Sequence, residues 1–127
     1  MNKATREWVR KAEADRVIAR QSSRSAIPLH DGVCFHCQQA VEKYLKALLS
    51  ESGLTIPKTH DLDLLRSLLL SHYPSLRTLR RGLTFLTDFA VDTRYPGANA
   101  SKRQATAALR WLERIRTTAR ALLKIRV

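Results

Sequence analysis

The chain has 127 residues, 44% of them apolar and 27% charged, with four Gly and four Pro. That is the size and mixture of one globular domain, and it argues against a disordered chain or a sheet built on many tight turns. Twenty-three Lys and Arg against eleven Asp and Glu leave a formal net charge of +12, which favours acidic partners such as nucleic acid, nucleotide phosphates or an acidic protein.

Five segments have helical period. The first runs from about Lys3 to Ser23, with Trp8, Ala12, Asp15 and Ala19 stepping along one face. Ser22, Ser23 and Pro28 interrupt it. The second, about Asp31 to Ser52, puts Val33, Cys34, Cys37, Ala40, Val41, Tyr44, Leu45, Ala47 and Leu48 on one side. Gln38, Gln39, Glu42, Lys43 and Lys46 fall on the other. Asp31 is placed to cap its start, and Gly53 to end it in a left-handed conformation.

Thr59-His60-Asp61 opens a short third helix through Leu62, Leu65 and Leu69, stopped by Pro74. The fourth carries Leu76, Leu79, Leu83, Leu86 and Ala90 at alternating spacings of three and four. Arg94-Tyr95-Pro96-Gly97 breaks the helical pattern. The last helix starts near Ser101, whose hydroxyl suits a capping box with Gln104, and Ala105, Ala108, Leu112, Ile115, Ala119 and Leu122 form its seam. Strand-like alternation is missing throughout. The pattern predicts an all-α fold, an antiparallel up-and-down bundle of about five helices, with residues 1–127 as one domain.

No apolar run exceeds three residues, as at Leu68-Leu69-Leu70, so no membrane span is expected, and the first residues lack the apolar stretch of a secretory signal. Cys34 and Cys37, the only two cysteines, make no disulfide framework and fit a cytoplasmic location. A zinc site would need His30, Cys34 and Cys37 plus His60 or His72. Both cysteines lie on the apolar arc, where a free Cys is a small core residue, and no metal or other cofactor is expected.

The run Cys34-Phe35-His36-Cys37-Gln38-Gln39-Ala40-Val41-Glu42-Lys43-Tyr44-Leu45-Lys46-Ala47-Leu48 closely resembles the signature helix of HEPN domains. Trp8, Ala12 and Asp15 on the first helix, Thr59-His60-Asp61-Leu62 and Arg94-Tyr95-Pro96 agree with it in order, so the resemblance covers nearly the whole chain. It implies a helical bundle, often a homodimer, frequently encoded beside a minimal nucleotidyltransferase in a toxin–antitoxin-like pair. Some members are metal-independent ribonucleases that use an Arg and a His separated by four to six residues. Arg16 departs from the family, which usually has an apolar residue there, and the last helix is unusually basic.

In that pattern a His is due after Arg94 at position 99, 100 or 101. The chain has Asn99, Ala100 and Ser101, which leaves no imidazole for proton transfer. Arg24 and His30 meet the spacing formally, but Pro28 lies between them. They are the weak catalytic candidates. His36, Gln39, Lys43 and Lys46 step by three, four and three as one polar stripe suited to a partner or phosphate. Arg94 and Tyr95 join them as binding candidates, as do Arg110 and Arg114, one turn apart on the last helix. Arg116 and Arg120 repeat that spacing, and each such like-charge pair costs roughly 0.2–0.5 kcal/mol in an isolated helix.

The expected function is a non-catalytic interaction module that dimerises and binds a nucleotidyltransferase partner, nucleotide or RNA. The alternative is a metal-independent endoribonuclease toxin.

Overall fold

The computed structural model describes residues 1–91 and 95–125. Five α-helices follow in order: α1 Lys3–Ser23, α2 His30–Glu51, α3 Leu62–Leu69, α4 Arg80–Thr87 and α5 Lys102–Leu122. No strand occurs among the described residues, and the helices pack as a bundle.

Ion pairs and hydrogen bonds between helices fix their directions. The start of α1 meets the end of α2, where Thr5 Oγ1 donates to Ser50 Oγ at 3.1 Å. Arg16 pairs with Glu113, and Glu13 with Arg116, so α1 runs antiparallel to α5 as well. Asp31 and Tyr44 of α2 meet Ala100 and Arg120, which makes α2 and α5 parallel. The Leu62 amide donates to Thr87 Oγ1, joining the start of α3 to the end of α4.

Helix α2 is the axis of the bundle. Tyr44, Leu45, Leu48 and Leu49 are fully buried, as are Leu62, Leu65 and Leu69 of α3, Leu83 and Leu86 of α4, and Leu112 of α5. Each leucine taken out of water contributes about 1.5–3 kcal/mol before chain entropy is counted. The end of α2 is set by Gly53 at φ 70°. The Gly53 amide donates to the Ser50 carbonyl and the Leu54 amide to the Leu49 carbonyl, the paired closure that a left-handed residue allows. Ser101 and Gln104 exchange both bonds of a capping box at the start of α5.

Three local expectations change. Asp31 does not cap α2: the helix begins one residue earlier at His30, Leu29 stands at the cap without a side-chain bond, and the Asp31 carboxylate accepts from the Ala100 amide at 2.6 Å. The expected fourth helix is three pieces, a 3-10 turn Pro74–Leu79, α4, and a second 3-10 turn Asp88–Ala90. Proline occupies the first position of the first turn. All five of its predicted apolar positions, Leu76 to Ala90, are still buried, because the tighter turns keep them on the same side.

The third change matters most for function. Gln38, Glu42 and Lys46, expected on a polar face, are buried. An amphipathic helix has a wet side only if nothing covers it, and here the connection from Gly53 to Asp61 and the start of α1 close over α2.

Candidate functional site

The predicted stripe on α2 separates into two carboxylate-centred clusters. Asp15 comes from the buried line Ala12, Asp15, Ala19 of α1. Its carboxylate bonds His36 Nδ1 at 2.9 Å and accepts from Lys43 Nζ. The His36 and Lys43 side chains keep 27% and 23% of their exposure, so this cluster reaches the surface.

Glu42 centres the second cluster. It accepts from Gln38 Nε2 at 3.1 Å and Lys46 Nζ at 3.0 Å, and bonds His60 Nδ1 at 2.8 Å. Gln39 donates to Gln38 Oε1 at 2.7 Å, and the Lys46 ammonium lies 5.8 Å from the centre of the Trp8 ring. Lys46 is therefore turned inward, while His60, 61% exposed, is the open edge of the group. A buried carboxylate must be paired, and each of these two holds one lysine and one histidine. His36, Gln39, Lys43 and Lys46 thus do not form one continuous face.

A third cluster ties α1, α2 and α5 together. Arg116 donates through Nε and Nη2 to Glu13 at 2.8 and 2.9 Å, the two-pronged geometry of a guanidinium on a carboxylate. The buried Tyr44 hydroxyl also donates to Glu13 and accepts from Arg120 Nη1 at 3.1 Å. Burial pushes the Glu13 carboxyl up, but the bonds from Arg116 and Tyr44 and the charges of Arg116 and Arg120 outweigh it and bring the group down to about 2. Burial and the hydrogen bond to Glu13 push the Tyr44 phenol up to about 12. Beside this cluster Arg16 makes the same two-pronged contact with Glu113 at 2.8 and 3.2 Å, and Arg20 stands 3.6 Å from that carboxylate. The family departure at Arg16 is thereby matched by the acid on α5.

The segment before α5 is where ribonuclease chemistry would be assembled. Arg94 lies outside the described residues. Tyr95 is exposed, and Gly97 at φ 92° turns the chain. Ala100 is buried with its amide on Asp31, and Ser101 is spent on the capping box. His30 lines a cleft of about 270 Å³ together with Pro28, Asp31, Asn99 and Ala100. Arg24, exposed just past the end of α1, does not line it, so the formal Arg24–His30 pair shares no pocket.

Cys34 and Cys37 are fully buried. Burial, helped by the Asp31 charge, pushes the Cys34 thiol up to about 12, and burial pushes Cys37 up as well, so both stay protonated core residues. Among the described residues no three His, Cys, Asp or Glu side chains gather in a metal-holding group.

Arg110 and Arg114 are exposed on the outer side of α5, and the Arg114 guanidinium lies 5.2 Å from the centre of the Trp111 ring. Sequence reasoning did not single out the acids at the centres of these clusters, Glu13, Asp15 and Glu42, nor did it single out Trp111. Asp15 carried a signal, an acid in line with Ala12 and Ala19 on an apolar face, and such an acid needs a partner. Glu42 sits one turn from both Gln38 and Lys46. Nothing in the spacing marked Trp111.

Among the described residues no helix is long and apolar enough to cross a membrane. No curated protein and no solved structure matches the chain at a significant level. The family model described as HEPN domain matches residues 5–122. With that span matched, and with a helical bundle built around the signature helix, the chain belongs to the HEPN domain family.

Proposed function

We propose that this chain is a non-catalytic HEPN interaction module that dimerises and binds a nucleotidyltransferase partner, nucleotide or RNA, as in a toxin–antitoxin-like pair. The observation that carries this reading is the content of positions 99 to 101. An exposed amide, a buried methyl and a capping hydroxyl stand where a ribonuclease of the family needs an imidazole. Neither the Asp31 contact nor the capping box leaves those backbone and side-chain groups free for proton transfer.

Arg94 and Tyr95 serve in this reading as contacts to an anion or partner, with His36 and Lys43 of the partly exposed Asp15 cluster and the half-buried Gln39. A planar guanidinium makes paired hydrogen bonds that an ammonium does not, so Arg94→Lys weakens binding as Arg94→Ala does. The experiment is affinity capture of the chain from its native cell, with bound protein and RNA identified, alongside sedimentation at micromolar concentration. Recovery of a nucleotidyltransferase with a dimeric chain supports the reading. A monomer that captures neither protein nor RNA refutes it.

A metal-independent endoribonuclease is the second reading, and the cleft shared by His30, Asn99 and Ala100 favours it. There His30 would supply from α2 the imidazole that the segment after Arg94 lacks. The expected result is that single-stranded RNA stays intact in the presence of a chelator. Cleavage that His30→Ala abolishes establishes the enzyme instead.

A further inference from the structure

Resting on the reading that the chain binds nucleic acid, we propose that the outward face of α5, with Trp111 on its α4 side, is a seat for a single strand. Helix α4 touches the indole with bare backbone: a Cβ added at Gly82 would lie 2.2 Å from Trp111 Cε3. The ring is thus backed by α4 and half-buried rather than swallowed by the core. On its open side is a recess of about 410 Å³ lined by Ala107, Arg110, Trp111 and Arg114.

Among the described residues, no acid pairs with the charges beside that ring. Arg103, Ala107, Arg110 and Arg114 follow one another at spacings of four, three and four, a line about 16 Å long on the helix surface. Among the described residues the side chains of Lys102, Arg103 and Arg110 have no ion pair or hydrogen bond. Arg114 has only its contact with the indole. Arg81, exposed beside Gly82 in the chain, is likewise unpaired. The one acid on α5, Glu113, is held by Arg16 and Arg20 on the other flank. The alanine at 107 keeps the approach to the ring low.

Phosphates satisfy the arginines, and a base satisfies the ring and the guanidinium that lies over it, because every base offers a flat π-face. A duplex hides those faces in its stack, so the fit is to a single strand. An acidic protein would answer the charges and leave the indole unused.

The test uses the whole chain with Trp8→Phe, so that Trp111 is the only tryptophan. Fluorescence is titrated with a fifteen-nucleotide oligouridylate, the matching oligodeoxythymidylate, a blunt RNA duplex and polyglutamate. The expected result is saturable quenching by the single strands, with affinity falling steeply as salt rises. RNA and DNA strands that behave alike place the recognition in phosphate and base face, and an RNA preference adds the 2′-hydroxyl; either result supports the seat. Arg110→Glu with Arg114→Glu is expected to weaken binding about tenfold or more at fixed salt without lowering the melting temperature. Trp111→Leu is expected to weaken it as well, and a melt shows whether that variant still folds. The proposal is overturned if the single strands do not quench, if duplex or polyglutamate binds as tightly, or if the charge reversals change nothing. Dimerisation and nucleotidyltransferase capture are measured on the same charge-reversed chain. If those persist while strand binding is absent in the parent, this seat is wrong and the interaction-module reading stands.

Discussion

Helix α5 carries arginines on two faces whose surroundings are opposite. Toward α1 and α2, Arg116 and Arg120 are 11% and 14% exposed and are held by Glu13 and the Tyr44 hydroxyl. On the outer side Arg103, Arg110 and Arg114 are exposed, and among the described residues none of them pairs with an acid. A strongly basic chain has few carboxylates to distribute, and here Glu13, Asp15 and Glu113 join helices while Glu42 ties α2 to the returning chain at His60. The basic excess is then left on the surface that folding does not need. Paired and unpaired arginines are thus sorted by face within one helix.

If the two faces differ in this way, the largest loss of stability comes from the inner one. Arg116→Ala removes both prongs from Glu13 and leaves a partly buried carboxylate with only Tyr44 and Arg120 beside it. Hydrogen bonds to charged groups and broken partly buried pairs place the expected cost at about 2–3 kcal/mol. Urea denaturation of the variant reads it directly. A cost below about 0.5 kcal/mol would erase the distinction between the faces, since that is the range of an ordinary surface substitution.

Gly82→Ala probes the boundary between inner packing and outer recess. Its new methyl would overlap the Trp111 ring, which must move out of its place on α4. Overpacking of this kind costs about 1–3 kcal/mol, and tryptophan emission in a Trp8→Phe background should shift to longer wavelength as the indole becomes wetter. Unchanged emission together with parental stability would show that α4 does not hold the ring.

Acid tests the inner face without mutation. The Glu13 carboxyl is depressed from its ordinary 4.5 to about 2 in the folded chain. The stabilisation it gives is complete above the ordinary carboxylate range and is lost as pH falls from 4.5 toward 2. Glu13 keeps 29% exposure, so after solvent screening the loss is about 1–2 kcal/mol. Glu113 is lowered too: burial raises it, and Arg16 more than compensates, so its contribution has the same sign. Denaturation midpoints followed from pH 6 downward should fall across this window, and Glu13→Gln should flatten the fall. An equally steep fall in the variant would assign acid sensitivity to other carboxylates.

Most of the architecture was legible because it depends on which residues are apolar and where the period breaks. The seam of α5 from Ala105 to Ala119 is buried as its spacing requires, and Ser101 and Gln104 form the box their separation allows. The polar groups were less legible. Arg110–Arg114 and Arg116–Arg120 have the same separation, and only their angle to the seam differs. On a helical wheel Arg116 lies about 60° from the middle of the seam, and Arg110 lies opposite it. That angle says which pair is near a neighbour, but not that the neighbour offers Glu13. The burial of Glu42 and Lys46 was hidden for a related reason. Local period treats a helix as having one covered side, whereas α2 is covered by the chain that returns from Gly53 to Asp61.

The smallest expected effect is the most discriminating for the outer face. Arg110→Ala removes a side chain with no ion pair or hydrogen bond among the described residues, and it relieves like-charge repulsion with Arg114 one turn away. That relief is worth about 0.2–0.5 kcal/mol, and alanine is at least as good a helix former as arginine. Stability should therefore stay level or rise slightly. Arg114→Ala gains the same relief but gives up its contact with the Trp111 ring, about 0.5–1 kcal/mol at an exposed site, and should come out level or slightly lower. Salt separates the two contributions. Added salt screens the repulsion, so the parent should gain more stability than Arg110→Ala when ionic strength is raised. Melting curves of the three proteins at low and high salt measure this. A drop of more than about 1 kcal/mol for Arg110→Ala would mean that Arg110 is held as Arg116 is, because unpartnered surface residues do not cost that much. Arg110 would then belong to the fold rather than to the unpaired outer line of α5.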